Sequence, residues 1–207
     1  SKISIADLDS LGINYKDCLI GITSGGTTPY VKSALNYANN LGSLSIAIAC
    51  VPKSQASLDC DVDIRLLTGP EIIAGSTRLK AGTATKMLLN ILSSCVMIKL
   101  GKVYSNRMVD VSATNYKLLD RSIRIIQDLT NLDQKQCLYI LKKTNGSVKL
   151  ALLHILGEIE INDAFELLEE NNGNLRKALN HVKWYVILCN LIYMGNTSLQ
   201  LVISSVL

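Results

Sequence analysis

The sequence has few aromatic residues and little charge. Aromatic residues make up 5% of its 207 residues, with one Trp and one Phe, so a core must be built mainly from Leu, Ile, Val and Ala. Charged residues make up 18% and hydrophobic residues 48%, a balance that excludes a globally disordered chain. The length suits one domain with a smaller appendage.

Basic residues are scattered, and the chain has no run of them longer than Lys142 and Lys143. The formal net charge is +4, with no stripe of the kind that binds nucleic acid, so we expect no nucleic-acid partner. A modest positive balance also suits an anionic small ligand, although lysines on a solvated face are the commoner cause.

Metal-binding signatures are absent from the six cysteines and two histidines, which form no CxxC pair and no zinc-like spacing. Cys18, Cys50 and Cys95 lie in apolar runs and are predicted to be buried free thiols in a reducing compartment. With no secretory signal pattern, a cytoplasmic location is expected. The chain begins with Ser1 rather than Met, which is typical of a fragment or a processed chain.

Strand and helix signals alternate in the first half of the chain. The apolar run Cys18–Thr23 predicts a buried parallel strand, and Pro29 opens a helix that Gly42 stops. Residues 45–50 and 63–67 predict two further strands. This alternation indicates an α/β fold with a doubly wound parallel sheet covered on both faces.

A long helix is predicted over residues 79–100, with apolar residues around nearly its whole circumference. Such a helix is usually buried at the centre of a domain or a dimer. The pattern then becomes all helical, with five helices predicted and the last of them short, over residues 174–179. We therefore predict a sheet domain over residues 1–110 and a helical bundle over residues 111–182.

The segment 183–207 differs from the rest, because residues 184–207 contain no charged side chain. This length could span a bilayer. However, Asn190, Gly195, Asn196 and Gln200 interrupt it and no basic cluster follows, so a packed or poorly folded tail is favoured over a membrane segment.

The first candidate site is the loop between the first strand and its helix, with the sequence Thr23, Ser24, Gly25, Gly26, Thr27, Thr28. Its glycines let a ligand approach the backbone, its hydroxyls can donate to phosphate oxygens, and the helix N-terminus favours an anion. The alternative is a tight turn without a ligand. Four hydroxyls in six residues favour the site. The loop lacks the Gly-Lys-Ser/Thr ending of a nucleotide triphosphate loop.

A second candidate segment precedes the long helix. Ser76 and Thr77 could bind an anion or simply cap the helix, and Lys80 could reach an anion held there or be solvated. Glu71 could orient a sugar hydroxyl, act as an acid or base, or favour the helix dipole.

Several stretches together resemble N-acetylmuramic acid 6-phosphate etherase: residues 21–31, 69–71, 75–86, 102–104 and 108–110. The run Gly-Ser-Thr-Arg-Leu-Lys-Ala-Gly-Thr at residues 75–83 is the most specific. Glucokinase regulatory protein shares similar motifs. The resemblance covers about residues 5–180 and does not include the tail.

The resemblance implies a sugar isomerase (SIS) fold, a ubiquitin-associated-like helical bundle and a homodimer whose two subunits complete the site. It implies cleavage of the lactyl ether of N-acetylmuramic acid 6-phosphate to N-acetylglucosamine 6-phosphate and D-lactate, by elimination and hydration. That chemistry needs a base and an acid, with no cofactor or metal. The phosphate-binding residues would be those of the 23–28 loop together with Ser76, Thr77 and Lys80.

This sequence departs from the etherase pattern at two loop positions, where Gly25 replaces Ser and Thr27 replaces Arg. Both residues bring the loop closer to that of the regulatory protein. The catalytic glutamates of the family lie upstream of the position that corresponds to Ser1, which leaves Glu71 as a weak candidate here. Three hypotheses therefore remain: an etherase, a non-catalytic sugar-phosphate sensor that regulates a kinase, and a degenerate fragment.

Overall fold

The computed structural model describes residues 1–112 and 115–193, with side chains of the last helix placed as far as Trp184. The chain divides into two compact units, Ser1–Ser93 and Ser94–Leu207.

The first unit is built on a three-stranded parallel sheet. Its elements are α1 (Lys2–Ser10), β1 (Cys18–Thr23), α2 (Pro29–Asn40), β2 (Leu44–Ala49), β3 (Val62–Arg65) and the first part of α3 (Lys80–Lys99). The strand order is β1-β2-β3, with Ile20 opposite Ile46 and Ile46 opposite Val62. The predicted α/β class and the three strands are confirmed, whereas α1 was not predicted.

One face of this sheet is closed by α2. Its core contains Leu35 of α2, Ala47 and Ala49 of β2, and Leu58 from the loop after β2. A Cβ atom on Gly21 would lie 2.9 Å from Cγ1 of Val31, so only glycine lets α2 lie this close to β1. The short distance between strand and helix fixes where α2 begins.

The opposite face of the sheet carries aliphatic side chains that remain exposed. Because in-register residues of parallel strands point to the same side, this face contains Cys18, Ile20 and Ile22 of β1 with Leu44 and Ile46 of β2. Ile22 is 44% exposed and Leu44 is 46% exposed. Ile48 of β2 pairs with Ile22, lies on the same face and is fully buried. The expectation that both faces are covered is therefore met only in part: within the described part of this unit, this face is buried at Ile48 and exposed at Ile22 and Leu44.

Helix α3 is also largely exposed. Ala81 is its one buried residue among those described, while Met87, Ile91 and Ile98 are each more than half exposed. The prediction of a buried helix is therefore wrong within this chain. The predicted burial of the thiols fails for the same reason: Cys18 lies on the open sheet face, Cys95 lies on α3 and both are exposed. Cys50 is partly exposed.

The second unit is a short hairpin followed by helices. The hairpin joins β4 (Val103–Tyr104) to β5 (Arg107–Met108), and the helices are α4 (Tyr116–Thr130), α5 (Gln134–Lys143), α6 (Val148–Gly157), α7 (Ile161–Glu170) and α8 (Leu175–Tyr193). Asn115, Asp133 and Ser147 cap α4, α5 and α6 through their side chains. The core includes Ile126, Leu141, Leu152, Leu153 and Leu175.

The predicted helices of this unit are present, but two features differ from the sequence prediction. The hairpin was missed because each of its strands has only two residues. The last helix was predicted to be short, yet α8 continues to Tyr193, through the start of the predicted tail. The remainder of that tail, residues 194–207, lies outside the described residues.

Candidate functional site

The loop that joins β1 to α2 leaves the N-terminus of α2 open. Thr28 stands at the N-cap position, where a threonine hydroxyl normally accepts a hydrogen bond from the first turn of the helix. Its side chain makes no such bond, and its Oγ1 lies instead 2.9 Å from Oγ1 of Thr23. Thr23 is buried, so this pair forms the inner wall of the loop.

Consecutive backbone N–H groups are consequently free at this point. Within the described chain, no hydrogen bond is donated by the N–H groups of residues 25–28, Tyr30 or Val31. Pro29 has no N–H, and the first bond of the helix runs from Lys32 N to Thr28 O at 3.2 Å. Free N–H groups at the positive end of a helix dipole favour an anion, and phosphate has the matching acceptor oxygens.

Two glycines shape this loop in different ways. Gly26 has φ +71°, and a Cβ atom on it would lie 2.7 Å from Cβ of Ala56, so the position requires glycine. Through this contact the loop after β1 packs against the loop after β2. Gly25 is exposed, and a Cβ atom on it would meet only Oγ1 of Thr27, at 3.9 Å. The backbone at Gly25 is thus accessible to a ligand.

Cys50 connects the two candidate segments predicted from the sequence. Its backbone N–H donates to Ser24 O at 2.9 Å, and its thiol donates to Ala81 O, with an Sγ–O distance of 3.8 Å. The first loop and the first turn of α3 therefore meet at the carboxyl edge of the sheet, where ligands of parallel α/β proteins bind. Sequence reasoning missed this role of Cys50. The pairing of β1 with β2 accounts for this role. Thr23 pairs with Ala49 at the end of the two strands, so the residues that follow them, Ser24 and Cys50, are neighbours.

The N-terminus of α3 is closed, unlike that of α2. The Glu71 carboxylate accepts hydrogen bonds from Lys80 N at 2.9 Å and Ala81 N at 3.0 Å. The bond from Ala81 and then that from Lys80 hold the pKa of Glu71 below its ordinary value. Glu71 is therefore ionised at neutral pH. It caps α3, a role for which the sequence had suggested Ser76 or Thr77.

The second candidate segment accordingly presents side chains rather than free backbone donors at the start of α3. Thr77 is exposed, Ser76 is half-buried, and Lys80 is the exposed first residue of the helix. Leu79 N donates to Ser76 O at 3.2 Å, which closes a turn before the helix. Of the two predicted anion sites, the α2 end retains the open backbone donors.

A metal site and a membrane-spanning helix are two further features that bear on function in the described residues. No group of three or more His, Cys, Asp and Glu side chains there is placed to hold a metal ion. By length and composition alone, α3 would be long and apolar enough to cross a membrane, a test that core helices of soluble proteins also pass.

Two protein families match separate parts of the chain. Residues 9–94 match the SIS domain, which contains the loop and both helix N-termini described above. Residues 105–150 match the C-terminal lid domain of glucokinase regulatory protein.

Curated relatives match across both parts. An N-acetylmuramic acid 6-phosphate etherase of Prochlorococcus marinus (strain NATL1A) is 59% identical over 179 residues, covering 86% of this chain and 58% of the relative. The protein of that name from Parasynechococcus marenigrum (strain WH8102) is 58% identical over 172 residues, covering 83% of this chain and 54% of the relative. This chain thus spans little more than half the length of these proteins.

Proposed function

Because the chain belongs to the SIS-domain family and is homologous over most of its length to N-acetylmuramic acid 6-phosphate etherases, we propose that the whole protein is such an etherase. It cleaves the lactyl ether of N-acetylmuramic acid 6-phosphate and releases N-acetylglucosamine 6-phosphate and D-lactate. The enzyme is a carbon–oxygen lyase and acts in the cytoplasm.

The open N-terminus of α2 is the structural observation that supports the phosphate-binding part of this proposal. The N–H groups of residues 25–28, Tyr30 and Val31 donate no hydrogen bond within the described chain, and Gly25, Thr27 and Thr28 of the loop are exposed, an arrangement that suits the phosphate of a sugar phosphate. The phosphate-binding residues are Thr23, Ser24, Gly25, Gly26, Thr27 and Thr28. Ser76, Thr77 and Lys80 contribute hydroxyl and ammonium groups from the neighbouring segment, which Cys50 holds beside the loop.

The chemical step needs a base for the proton next to the sugar aldehyde carbon and an acid for the departing lactate oxygen. We assign neither role to Glu71, because both of its carboxylate oxygens accept backbone hydrogen bonds and its pKa lies below the ordinary value, which makes it a weaker base. We place the acid and base in the part of the polypeptide that the relatives have and this chain does not cover. The role of this chain is to bind and orient the phosphate.

A homodimer is the assembly we propose for the whole protein. The exposed aliphatic side chains of α3, including Met87, Ile91 and Ile98, form a surface that water solvates poorly. Burial of this surface against a second subunit removes that cost. Sedimentation of the full-length protein tests the proposal, since a monomer at micromolar concentration contradicts it.

A sugar-phosphate sensor is the second candidate function. It is favoured by Gly25 and Thr27 in the loop and by the match of residues 105–150 to the lid domain of glucokinase regulatory protein. Incubation of the full-length protein with N-acetylmuramic acid 6-phosphate separates the two functions. Release of D-lactate supports the etherase, whereas tight binding of a hexose phosphate without lactate supports the sensor.

A further inference from the structure

A groove in the second unit is lined by residues of α7 and α8, by the last residue of α6 and by the two residues that follow α6. It encloses about 670 Å³. Ile159, Leu167 and Val182 give it an apolar lining, and Trp184 stands at its rim with 64% of its surface exposed. An exposed Trp beside an apolar depression is typical of the residues that anchor protein interfaces.

Four carboxylates surround this apolar lining: Glu158, Asp163, Glu166 and Glu170. The last three share one face of α7, because they are spaced three and four residues apart. None of the four forms a salt bridge within the described chain. Like charges at these spacings destabilise an isolated helix, so an external cation would relieve a repulsion already present.

The remaining titratable group at the groove is His181 of α8. Its Nδ1 lies 3.2 Å from Nδ2 of Asn171, which is buried at the end of α7. This bond holds the imidazole near the end of α7. The remaining charged side chains that line the groove are the four carboxylates.

We propose that this groove binds a helix of a partner protein whose apolar stripe is bordered by Lys or Arg. The ten-residue α7 is about 15 Å long, so the groove beside it accommodates about three turns of a helix. The apolar side chains of that helix enter the groove, and its cations pair with Asp163, Glu166 and Glu170. Charge complementarity selects this partner, because an uncharged or acidic segment would leave the carboxylates unpaired.

The test uses the emission of Trp184, the only Trp in the sequence. The full 207-residue chain is titrated with an 18-residue Leu/Lys helix that has an apolar stripe, and with a Leu/Glu helix of the same pattern. The Leu/Lys helix is expected to shift the emission to shorter wavelength as Trp184 is buried, and the Leu/Glu helix to leave it unchanged. Equal responses, or no response to either, would overturn the proposal.

Paired variants locate the binding. The double variant Glu166→Gln, Glu170→Gln is expected to bind the Leu/Lys helix with an affinity lower by about tenfold or more. Glu169→Gln removes an exposed carboxylate of α7 that does not line the groove, and leaves the affinity unchanged. Equal binding by all variants rejects the groove. A wavelength shift that grows with protein concentration alone would assign the groove to a second copy of the chain. A wavelength shift on removal of residues 194–207 would assign it to that segment. Either result would also overturn the proposal.

Discussion

Thr28 Oγ1 lies 2.9 Å from Thr23 Oγ1, so the residue at the N-cap of α2 bonds the preceding strand instead of its own helix. One hydrogen bond thereby connects the end of β1 to the start of α2 and leaves the first turn of α2 uncapped. A helix with a satisfied cap would have fewer donors for a ligand. We infer that the bond between these two threonines turns the Thr28 hydroxyl toward the strand and so helps to keep the candidate phosphate site open.

Replacement of Thr23 by Val tests this relationship. The substitution keeps the shape of the side chain, removes the partner of Thr28 and frees that hydroxyl to cap α2. Affinity for N-acetylglucosamine 6-phosphate is expected to fall by roughly 1–3 kcal/mol, since a side chain then competes for the phosphate donors. Isothermal titration of the chain measures the effect. Ser10→Ala in α1 is the control, and equal affinities for wild type and Thr23→Val would contradict the account.

Gly26→Ala and Gly25→Ala form a matched pair for stability. At Gly26 the added methyl meets Ala56 at 2.7 Å and the backbone φ is +71°, so the free energy of unfolding is expected to fall by roughly 1–3 kcal/mol. At Gly25 the methyl meets only Thr27, at 3.9 Å, and the chain should unfold almost as the wild type does. Urea denaturation compares the two variants. A similar loss for both would mean that the contact with Ala56 does not constrain the loop.

Glu71→Gln is expected to loosen the first turn of α3. The ionised carboxylate accepts from Lys80 N and Ala81 N, and those two bonds lower its pKa below the ordinary 4.5. The stabilisation that these two hydrogen bonds give to the first turn of α3 is therefore fully present above pH 4.5 and is lost as the pH falls through the lowered pKa. Hydrogen exchange at Lys80 and Ala81 should accelerate in the variant at neutral pH. Unchanged exchange there would show that Glu71 does not cap the helix.

Asp110 in the second unit is predicted to stabilise the fold through two lysines. Burial raises its pKa, but bonds from Lys102 and Lys149 outweigh that effect and bring it below the ordinary 3.8. Asp110→Asn removes the carboxylate partner of Lys149, whose side chain is only 12% exposed, and should cost roughly 1–2 kcal/mol.

Asp128→Asn is the control for this prediction. Asp128 pairs with Arg107 at a surface where both side chains are almost half exposed, so its loss should cost less than about 0.5 kcal/mol. The stabilisation from Asp110 is present above pH 3.8 and disappears as the pH falls through its lowered pKa. Thermal unfolding of both variants at neutral pH and at pH 3 provides the comparison, and equal losses for the two at neutral pH would contradict it.

Local signals predicted the strands and the loop well. The loop at the edge of the sheet is an example: the apolar run Cys18–Thr23 predicted where it begins, and Pro29 predicted where it ends. Burial was predicted less well, because apolar character does not say what covers a side chain. Ile22 and Met87 read as core residues, yet in the described chain they are exposed.

The second segment shows why site residues are harder to predict than elements. The sequence offered Ser76 and Thr77 as caps because they immediately precede α3. The cap is instead Glu71, nine residues before Lys80, and the turns over residues 73–79 bring it back to the helix. Pairing across such a distance depends on the path of the chain, which residue type and spacing do not specify.

The most direct test of the central claim is an amide NMR titration of the chain with N-acetylglucosamine 6-phosphate, with N-acetylglucosamine as the unphosphorylated control. The account predicts that only the phosphorylated sugar shifts the amide signals of residues 25–28, Tyr30 and Val31, and that the signals of Lys80 and Ala81, bonded to Glu71, move little. Shifts centred on Lys80 and Ala81, or equal shifts with the unphosphorylated sugar, would contradict a phosphate site at the open end of α2.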